Sequence, residues 1–153
     1  MHIADLLTAD RVACGDPSAS KKRVLEQMSK LIAGGQQALN QTEVFDSLIA
    51  RERLGSTGLG HGVAIPHGRV KNGTETVGAF IQLQTPIDFD AVDGEPVDLL
   101  FGLLVPEQST QEHLELLAQL AEMFSDAQFV SGLRAATSGA DLHARLSQWR
   151  APG

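Results

Sequence analysis

The nine residues VDLLFGLLV, at positions 97–105, predict the element around which the fold is built. Successive side chains of a β-strand point to opposite faces of the sheet, and both faces of this segment are apolar. A strand of that kind is typical of a sheet that helices cover on each side. Pro106 ends the segment, because proline lacks the amide hydrogen that a strand ladder needs. We therefore expect an α/β fold with this strand at its centre.

The segments before and after this strand show the spacing of amphipathic helices. Helices are predicted at residues 18–34, 42–54 and 110–124, and two short helices are predicted to open at Ser125 and Ser138. The residues expected to cap the first three helices are Ser18 or Ser20, Thr42 and Thr110. The apolar face predicted for the 110–124 helix consists of Leu114, Leu117, Leu120, Ala121 and Phe124.

Two further strands are predicted between these helices. Residues 76–84 alternate apolar side chains on one face, and Val63–Pro66 is a short candidate strand. Asn72 and Gly73 form a turn signal between the two. Strands that have helices before, between and after them predict an α/β sandwich.

Length and composition limit the classes of protein to consider. The chain has 153 residues, which favours a single domain spanning 1–153. Its net charge of −7 argues against broad binding to nucleic acid or to anionic membranes. Cys14 is the only cysteine, so no internal disulfide is possible. The longest apolar run is too short to span a bilayer and the N-terminus has no signal-peptide pattern, so we expect a cytosolic protein.

The segment GSTGLGHGVAIPHGR, residues 55–69, holds five glycines and two histidines. A nucleotide loop is disfavoured, because the glycines have the wrong spacing and the segment precedes a strand rather than a helix. A metal site is disfavoured, because His61 and His67 alone supply too few ligands. Two interpretations stay open from the residues alone: a tight turn with a surface histidine, and a nucleophilic histidine beside a loop that approaches a ligand closely.

The longer stretch RERLGSTGLGHGVAIPHGR, residues 51–69, resembles the signature of the IIA proteins of the bacterial phosphoenolpyruvate:sugar phosphotransferase system, of the fructose/mannitol and nitrogen-regulatory type. The resemblance extends to SKKRVLEQMSKLI at 20–32, to residues 85–106 and to EHLELLAQLAEMF at 112–124. It therefore covers most of the chain, and it implies a mixed β-sheet sandwiched between helices.

The resemblance implies a role for several side chains. The phosphorylated histidine of the family falls on His67, with the phosphoryl group on its Nε2 (tele) nitrogen, and the second active-site histidine falls on His113. The active-site arginine falls on Arg51. From their chemistry alone, the hydroxyls of Ser56 and Thr57 are candidate donors to the phosphoryl oxygens, and capping of the loop is the alternative role for both. At an exposed helix start, His113 is expected to contribute little to stability.

One residue departs from the family pattern, in which asparagine is common at the position of His61, and we interpret His61 as a variable loop residue. Arg69 is close to His67 along the chain, yet the alternation at a strand end is expected to point its side chain elsewhere.

The resemblance also implies the partners. An HPr-like phosphocarrier protein is the expected donor, and neither a metal nor an organic cofactor is expected. A regulator that binds protein partners according to its phosphorylation state is the favoured role, because the chain carries no IIB-like or membrane segment and opens with IADLLTADRV. A fructose/mannitol-type component that passes the phosphoryl group to a IIB domain is the alternative. A binding module without catalysis is disfavoured, because both histidines are present. We expect a monomer or weak dimer.

Overall fold

The predicted strand lies at the centre of the sheet. The computed structural model describes residues 2–34, 39–71 and 75–150. Within these ranges, six strands form one mixed sheet: β1 (Val12–Asp16), β2 (Gly58–Gly60), β3 (Val63–Ala64), β4 (His67–Val70), β5 (Val77–Ile87) and β6 (Val97–Pro106). Strand β6 is antiparallel to β5 on one side and parallel to both β3 and β4 on the other. At the edges of the sheet, β1 pairs with β5 in parallel and β2 pairs with β3 antiparallel.

Helices cover both faces of this sheet. They are α1 (Lys21–Ala33), α2 (Gln41–Glu52), α3 (Thr110–Phe124), α4 (Ala127–Ala135) and α5 (Gly139–Gln148). Leu99, Phe101 and Leu103 of β6 pack with α3, α4 and α5, whereas Leu100 and Leu104 pack with α1 and α2. The two apolar faces of β6 thus belong to two separate cores, as its sequence predicts.

Most of the predicted elements are present, with corrections at their ends. Ser20 caps α1, because its hydroxyl accepts a hydrogen bond from the amide of Arg23. Helix α2 is capped by Asn40 and not by Thr42, since the Asn40 side chain accepts from two amides of the first turn. Helix α3 spans the predicted residues, but Ser109 stands at its N-cap position and not Thr110.

Further features differ from the sequence prediction or lie outside the described residues. Strand β1 and two short 3-10 helices, Ile3–Leu6 and Ala9–Arg11, were not predicted. The buried face of α3 is rotated, so that Leu114 is 57% exposed although it was assigned to the core. The turn predicted at Asn72 and Gly73 lies outside the described residues. None of the helices within the described ranges has the length and apolarity needed to cross a membrane.

An interrupted strand beside β6 positions the candidate site. The predicted strand at 63–66 ends at Ala64, and a new strand begins at His67. Pro66 lies in the gap, and its carbonyl accepts a hydrogen bond of 3.0 Å from the amide of Leu103. Helix α2 packs against β4, and α3 begins a few residues after the end of β6. His67 is therefore held between α2 and the first turn of α3.

Candidate functional site

The His67 ring has one nitrogen engaged by the backbone. Its Nδ1 lies 2.8 Å from the carbonyl oxygen of Ile65, and a carbonyl can only accept, so Nδ1 carries the proton. In the neutral ring the lone pair then resides on Nε2. Burial of the ring, which is 9% exposed, lowers the pKa of His67, and the charges of Arg51 and Arg69 lower it further against the opposing effect of the Ile65 hydrogen bond. His67 is therefore a neutral imidazole near pH 7, with Nε2 as its nucleophilic atom.

His113 lies directly beside His67. The two ring centroids are 5.1 Å apart, with an interplanar angle of 72°. The Nδ1 atom of His113 accepts a hydrogen bond of 3.3 Å from Nε of Arg69. Among the side chains that the structure describes, the Nε2 of His113 is the buried nitrogen or oxygen atom that has no hydrogen-bond partner. A buried polar atom in that state is a candidate contact for a ligand.

The expectation that His113 is exposed was wrong. The residue is only 5% exposed, because His113 lies on the buried face of α3 while Thr110 and Gln111 of the same turn are exposed. Burial lowers the pKa of His113 to about 4, and the neighbouring His67, Arg69 and Arg51 contribute in the same direction. His113 is therefore neutral near pH 7, and its substitution affects packing as well as chemistry.

Arg51 lies in the last turn of α2, at the entrance of the glycine-rich loop. Its Nη1 donates a hydrogen bond of 2.8 Å to the carbonyl of Gly55. The guanidinium acts on both histidines, since its charge contributes to the lowered pKa of each. A half-buried arginine with several N–H groups is suited to bind an anionic group on His67.

The hydroxyls of Ser56 and Thr57 are engaged within the protein. Ser56 Oγ donates a 2.9 Å hydrogen bond to the carbonyl of Phe89 and accepts one from the amide of Gly58. Thr57 donates to buried Glu52 through both its hydroxyl and its amide, and Glu52 also pairs with Lys21. These contacts hold the loop in shape, and the phosphate-binding role of the two hydroxyls stays a prediction.

Two neighbouring cavities meet at His67. The first, of about 480 Å³, is lined by Arg51, Arg69 and His113 together with the leucines at positions 54, 114 and 117. The second, of about 220 Å³, shares Arg51 and His67 with the first and reaches Ser56 and Thr57. Arg51, His67 and His113 thus surround the first opening, whereas Ser56 and Thr57 lie at the second. Leu54, which is 84% exposed, and Leu114 give the first opening an apolar rim.

His61 lines neither of these two cavities. Its backbone adopts φ +56°, which is uncommon for residues other than glycine, although asparagine, aspartate and histidine are enriched there. The amide of His61 donates to Asp93, and its carbonyl accepts from Arg134. These two hydrogen bonds hold His61 in the left-handed conformation.

Sequence reasoning missed Arg69. Residues two apart on a strand share a face, so the spacing of His67 and Arg69 was itself the signal that they lie together. The described residues contain no group of three or more histidine, cysteine or acidic side chains that could hold a metal ion. What the site offers is a nucleophilic Nε2, a buried N–H donor and two guanidinium groups, which together suit the acceptance of an anionic group.

The chain matches a known protein family over most of its length. Residues 5–149 match the family described as "Phosphoenolpyruvate-dependent sugar phosphotransferase system, EIIA 2". The chain is 46% identical over 143 residues to a nitrogen regulatory protein of Pseudomonas aeruginosa, and this alignment covers 94% of the chain and 93% of the relative.

Solved structures give the same fold. The nitrogen regulatory protein IIA-Ntr from Neisseria meningitidis superposes with a TM-score of 0.89 at 44% identity, which covers 94% of this chain and 98% of that one. The mannitol IIA of Escherichia coli superposes with a TM-score of 0.77 at 22% identity, which covers 92% of this chain and 98% of that one. The second comparison concerns the fold alone, and both confirm the predicted mixed sheet between helices.

Proposed function

Because the chain belongs to the EIIA 2 family of the phosphoenolpyruvate-dependent sugar phosphotransferase system, we propose that it is a phosphocarrier that accepts a phosphoryl group on Nε2 of His67. The donor is an HPr-like phosphocarrier protein in the cytoplasm. The phosphorylation state of His67 then regulates the binding of protein partners. The protein acts as a monomer or weak dimer and needs no cofactor for this step.

The observation that supports the proposal best is the contact between Nδ1 of His67 and the carbonyl oxygen of Ile65. The Ile65 carbonyl holds the proton on Nδ1 at 2.8 Å, which leaves the Nε2 lone pair available for attack. A neutral imidazole is the nucleophilic form, and the lowered pKa of His67 favours that form near pH 7. The acceptor is thus oriented and in its reactive protonation state before a donor arrives.

The transfer exchanges one phosphorus–nitrogen bond for another. The Nε2 lone pair of His67 attacks the phosphorus of the donor's phosphohistidine, while the bond from phosphorus to the donor nitrogen breaks and its electron pair stays on that nitrogen. The added group carries about −1.5 to −2 charges at neutral pH. Arg51 offsets this charge, and the Nε2–H of His113 donates to a phosphoryl oxygen, which gives that buried donor a partner.

A protein donor fits the surroundings of His67 better than a small molecule does. The opening that leads to the ring has exposed leucines at its rim, Leu54 and Leu114, and exposed apolar groups of this kind are characteristic of protein interfaces. Arg51 and Arg69 line the opening inside that rim. An apolar rim around cationic groups matches a partner that presents a phosphoryl group in an apolar surface.

Regulation of nitrogen metabolism is the favoured outcome of this phosphorylation. The 46% identical relative from Pseudomonas aeruginosa is a nitrogen regulatory protein, and so is the structural neighbour at 44% identity. Transfer from His67 to a IIB domain for sugar uptake is the alternative that the family name allows.

Phosphorylation with purified components tests the proposal. The protein is incubated with phosphoenolpyruvate, enzyme I and the carrier, and the added mass is located by mass spectrometry. We expect one acid-labile phosphoryl group on His67 and none in the His67→Ala variant. His143→Ala is the matched control, because His143 lies on α5 away from the site and should leave labelling unchanged. Retention of the label in His67→Ala would refute the assignment.

The choice between regulation and transport needs a second experiment. Phosphorylated protein and His67→Ala are each used to capture partners from cell extract, alongside a sugar-phosphorylation assay with membranes. A regulator should bind a partner with affinities that differ at least tenfold between the two states, or about 1.4 kcal/mol. Flow of phosphate from His67 to a sugar, without any partner that distinguishes the states, would reject regulation in favour of transport.

A further inference from the structure

We propose that Arg69 is a positioning residue that holds His113 in one ring orientation and one tautomer, with the proton on Nε2. The claim about the ring concerns the unphosphorylated protein, and only its consequence for transfer rests on the proposed function. His113 touches the transferred group in that function, whereas Arg69 acts through His113.

The contact between the two side chains fixes the position of the proton. Arg69 Nε lies 3.3 Å from Nδ1 of His113. A guanidinium has N–H groups only and cannot accept a hydrogen bond, so Nδ1 must present its lone pair to Arg69. In a neutral imidazole the single proton then resides on Nε2. The opposite tautomer, or a flipped ring, would bring an N–H group or a C–H group against the arginine.

The Nε2 atom of His113 is the one that the site leaves for a ligand. It is buried, and it is without a hydrogen-bond partner among the residues that the structure describes. The His113 ring lies edge-on to the acceptor ring of His67, with 5.1 Å between centroids. A proton on this atom is a donor to an oxygen bound near His67, whereas a lone pair there would repel that oxygen.

Arg69 is itself held in place by the sheet and by α2. It lies on β4 two residues after His67, and it pairs with Val105 in the register of β4 with β6. Its carbonyl accepts a 2.9 Å hydrogen bond from the hydroxyl of Ser47 on α2. The backbone that carries Arg69 is therefore fixed relative to His67, so the arginine can orient a ring on the neighbouring helix.

The tautomer of His113 can be read by nitrogen-15 NMR of the imidazole rings in the unphosphorylated protein at pH 7.5. We expect the wild-type His113 to show a single Nε2–H tautomer. Arg69→Ala should show an average of two tautomers, and Arg69→Gln likewise, since an amide can also accept from Nδ1–H. Arg69→Lys, which can only donate, should restore the wild-type signal. Arg53→Ala is the control, because it removes an exposed arginine charge that lines neither cavity.

Transfer kinetics with the phosphocarrier give the second measurement. Arg69→Ala and Arg69→Gln should lower kcat by about tenfold with little change in KM, and Arg69→Lys should recover most of the loss. An unchanged His113 tautomer in Arg69→Ala would overturn the proposal. A defect confined to KM would overturn it as well, because it would show that the charge of Arg69 serves to bind the carrier. If no variant or wild type accepts phosphate, the proposed function fails, while the NMR result still decides the role of Arg69.

Discussion

Replacement of His113 by leucine is expected to preserve or increase the stability of the protein while it impairs phosphoryl transfer. The imidazole is buried, and its Nε2–H has no partner within the described residues. An unsatisfied buried donor destabilises a folded protein by about 1–3 kcal/mol. Leucine fills a similar space and brings no polar atom into it.

Two losses oppose this gain. The hydrogen bond from Arg69 is long, at 3.3 Å, and involves an exposed arginine, so its removal costs about 0.5–1 kcal/mol. The change of side-chain shape costs about 1 kcal/mol at most in a site of this size. The net effect is a change in the free energy of unfolding between about −1 and +2.5 kcal/mol. Since about 1 kcal/mol moves the Tm of a domain of this length by about 2–4 °C, the Tm should change by between about −4 and +10 °C.

Urea unfolding at pH 7.5 measures the stability, and single-turnover phosphorylation by the carrier measures transfer. Transfer should slow by about 10²–10³-fold, the usual effect of removing one donor to a reacting oxyanion. His143→Leu is the matched control and should change neither quantity much, because that histidine lies on α5 away from the site. A loss of more than about 1 kcal/mol in His113→Leu, or wild-type transfer, would contradict the reasoning.

Three further outcomes are expected. The pKa of His113 is about 4 in the folded protein and near 6.5 in the unfolded chain, so the unfolded chain binds more protons between these two pH values. The free energy of unfolding of the wild type should therefore fall by on the order of 2–3 kcal/mol as the pH falls from 6.5 to 4. An equal fall in His113→Leu, measured by urea titration, would argue against this. Glu52→Ala removes the acceptor of the buried Thr57 amide, so hydrogen exchange at that amide should accelerate and the free energy of unfolding should fall by about 1–3 kcal/mol. Unchanged exchange would show that the conformation of the loop does not depend on Glu52. Gly68→Ala places a Cβ against the hydroxyl and the backbone of Ser47, so it should destabilise the protein by about 1–3 kcal/mol in thermal unfolding. An unchanged Tm would mean that Ser47 and α2 move away from β4 at little cost.

The central elements of the fold were predictable because their sequence patterns are strong. Strand β6 carries an apolar run that Pro106 ends, and α3 carries a long apolar repeat. Strand β1 was missed because it is short, contains Gly15 and has no clear alternation of buried side chains. It lies at the edge of the sheet, where pairing with β5 rather than its own sequence makes it a strand.

The orientation of α3 could not be read from its apolar residues alone. The prediction placed Leu114 in the core and left His113 to solvent, because an imidazole usually faces water. The helix instead buries His113 together with Leu116, Leu120 and Met123, which are spaced three or four residues apart. Treating the histidine as polar rotated the predicted face by one residue.

The composition of the site came partly from the family resemblance and partly from geometry that a single sequence does not contain. His67, Arg51 and His113 were named from matching motifs, and the structure brings them together around one cavity. That Arg69 contacts His113 depends on β6, which places β4 beside the start of α3. Such contacts between distant segments follow from topology and not from local pattern.

The carbonyl of Ile65 has a consequence for how this protein tolerates mutation. The atom that keeps the proton on Nδ1 of His67 belongs to the main chain, in the gap between β3 and β4. Every amino acid at position 65 supplies the same carbonyl, so a substitution there can alter the packing of the side chain without altering which nitrogen of His67 keeps the proton. The tautomer of this ring is thereby set by the path of the backbone and not by the identity of the side chain at position 65.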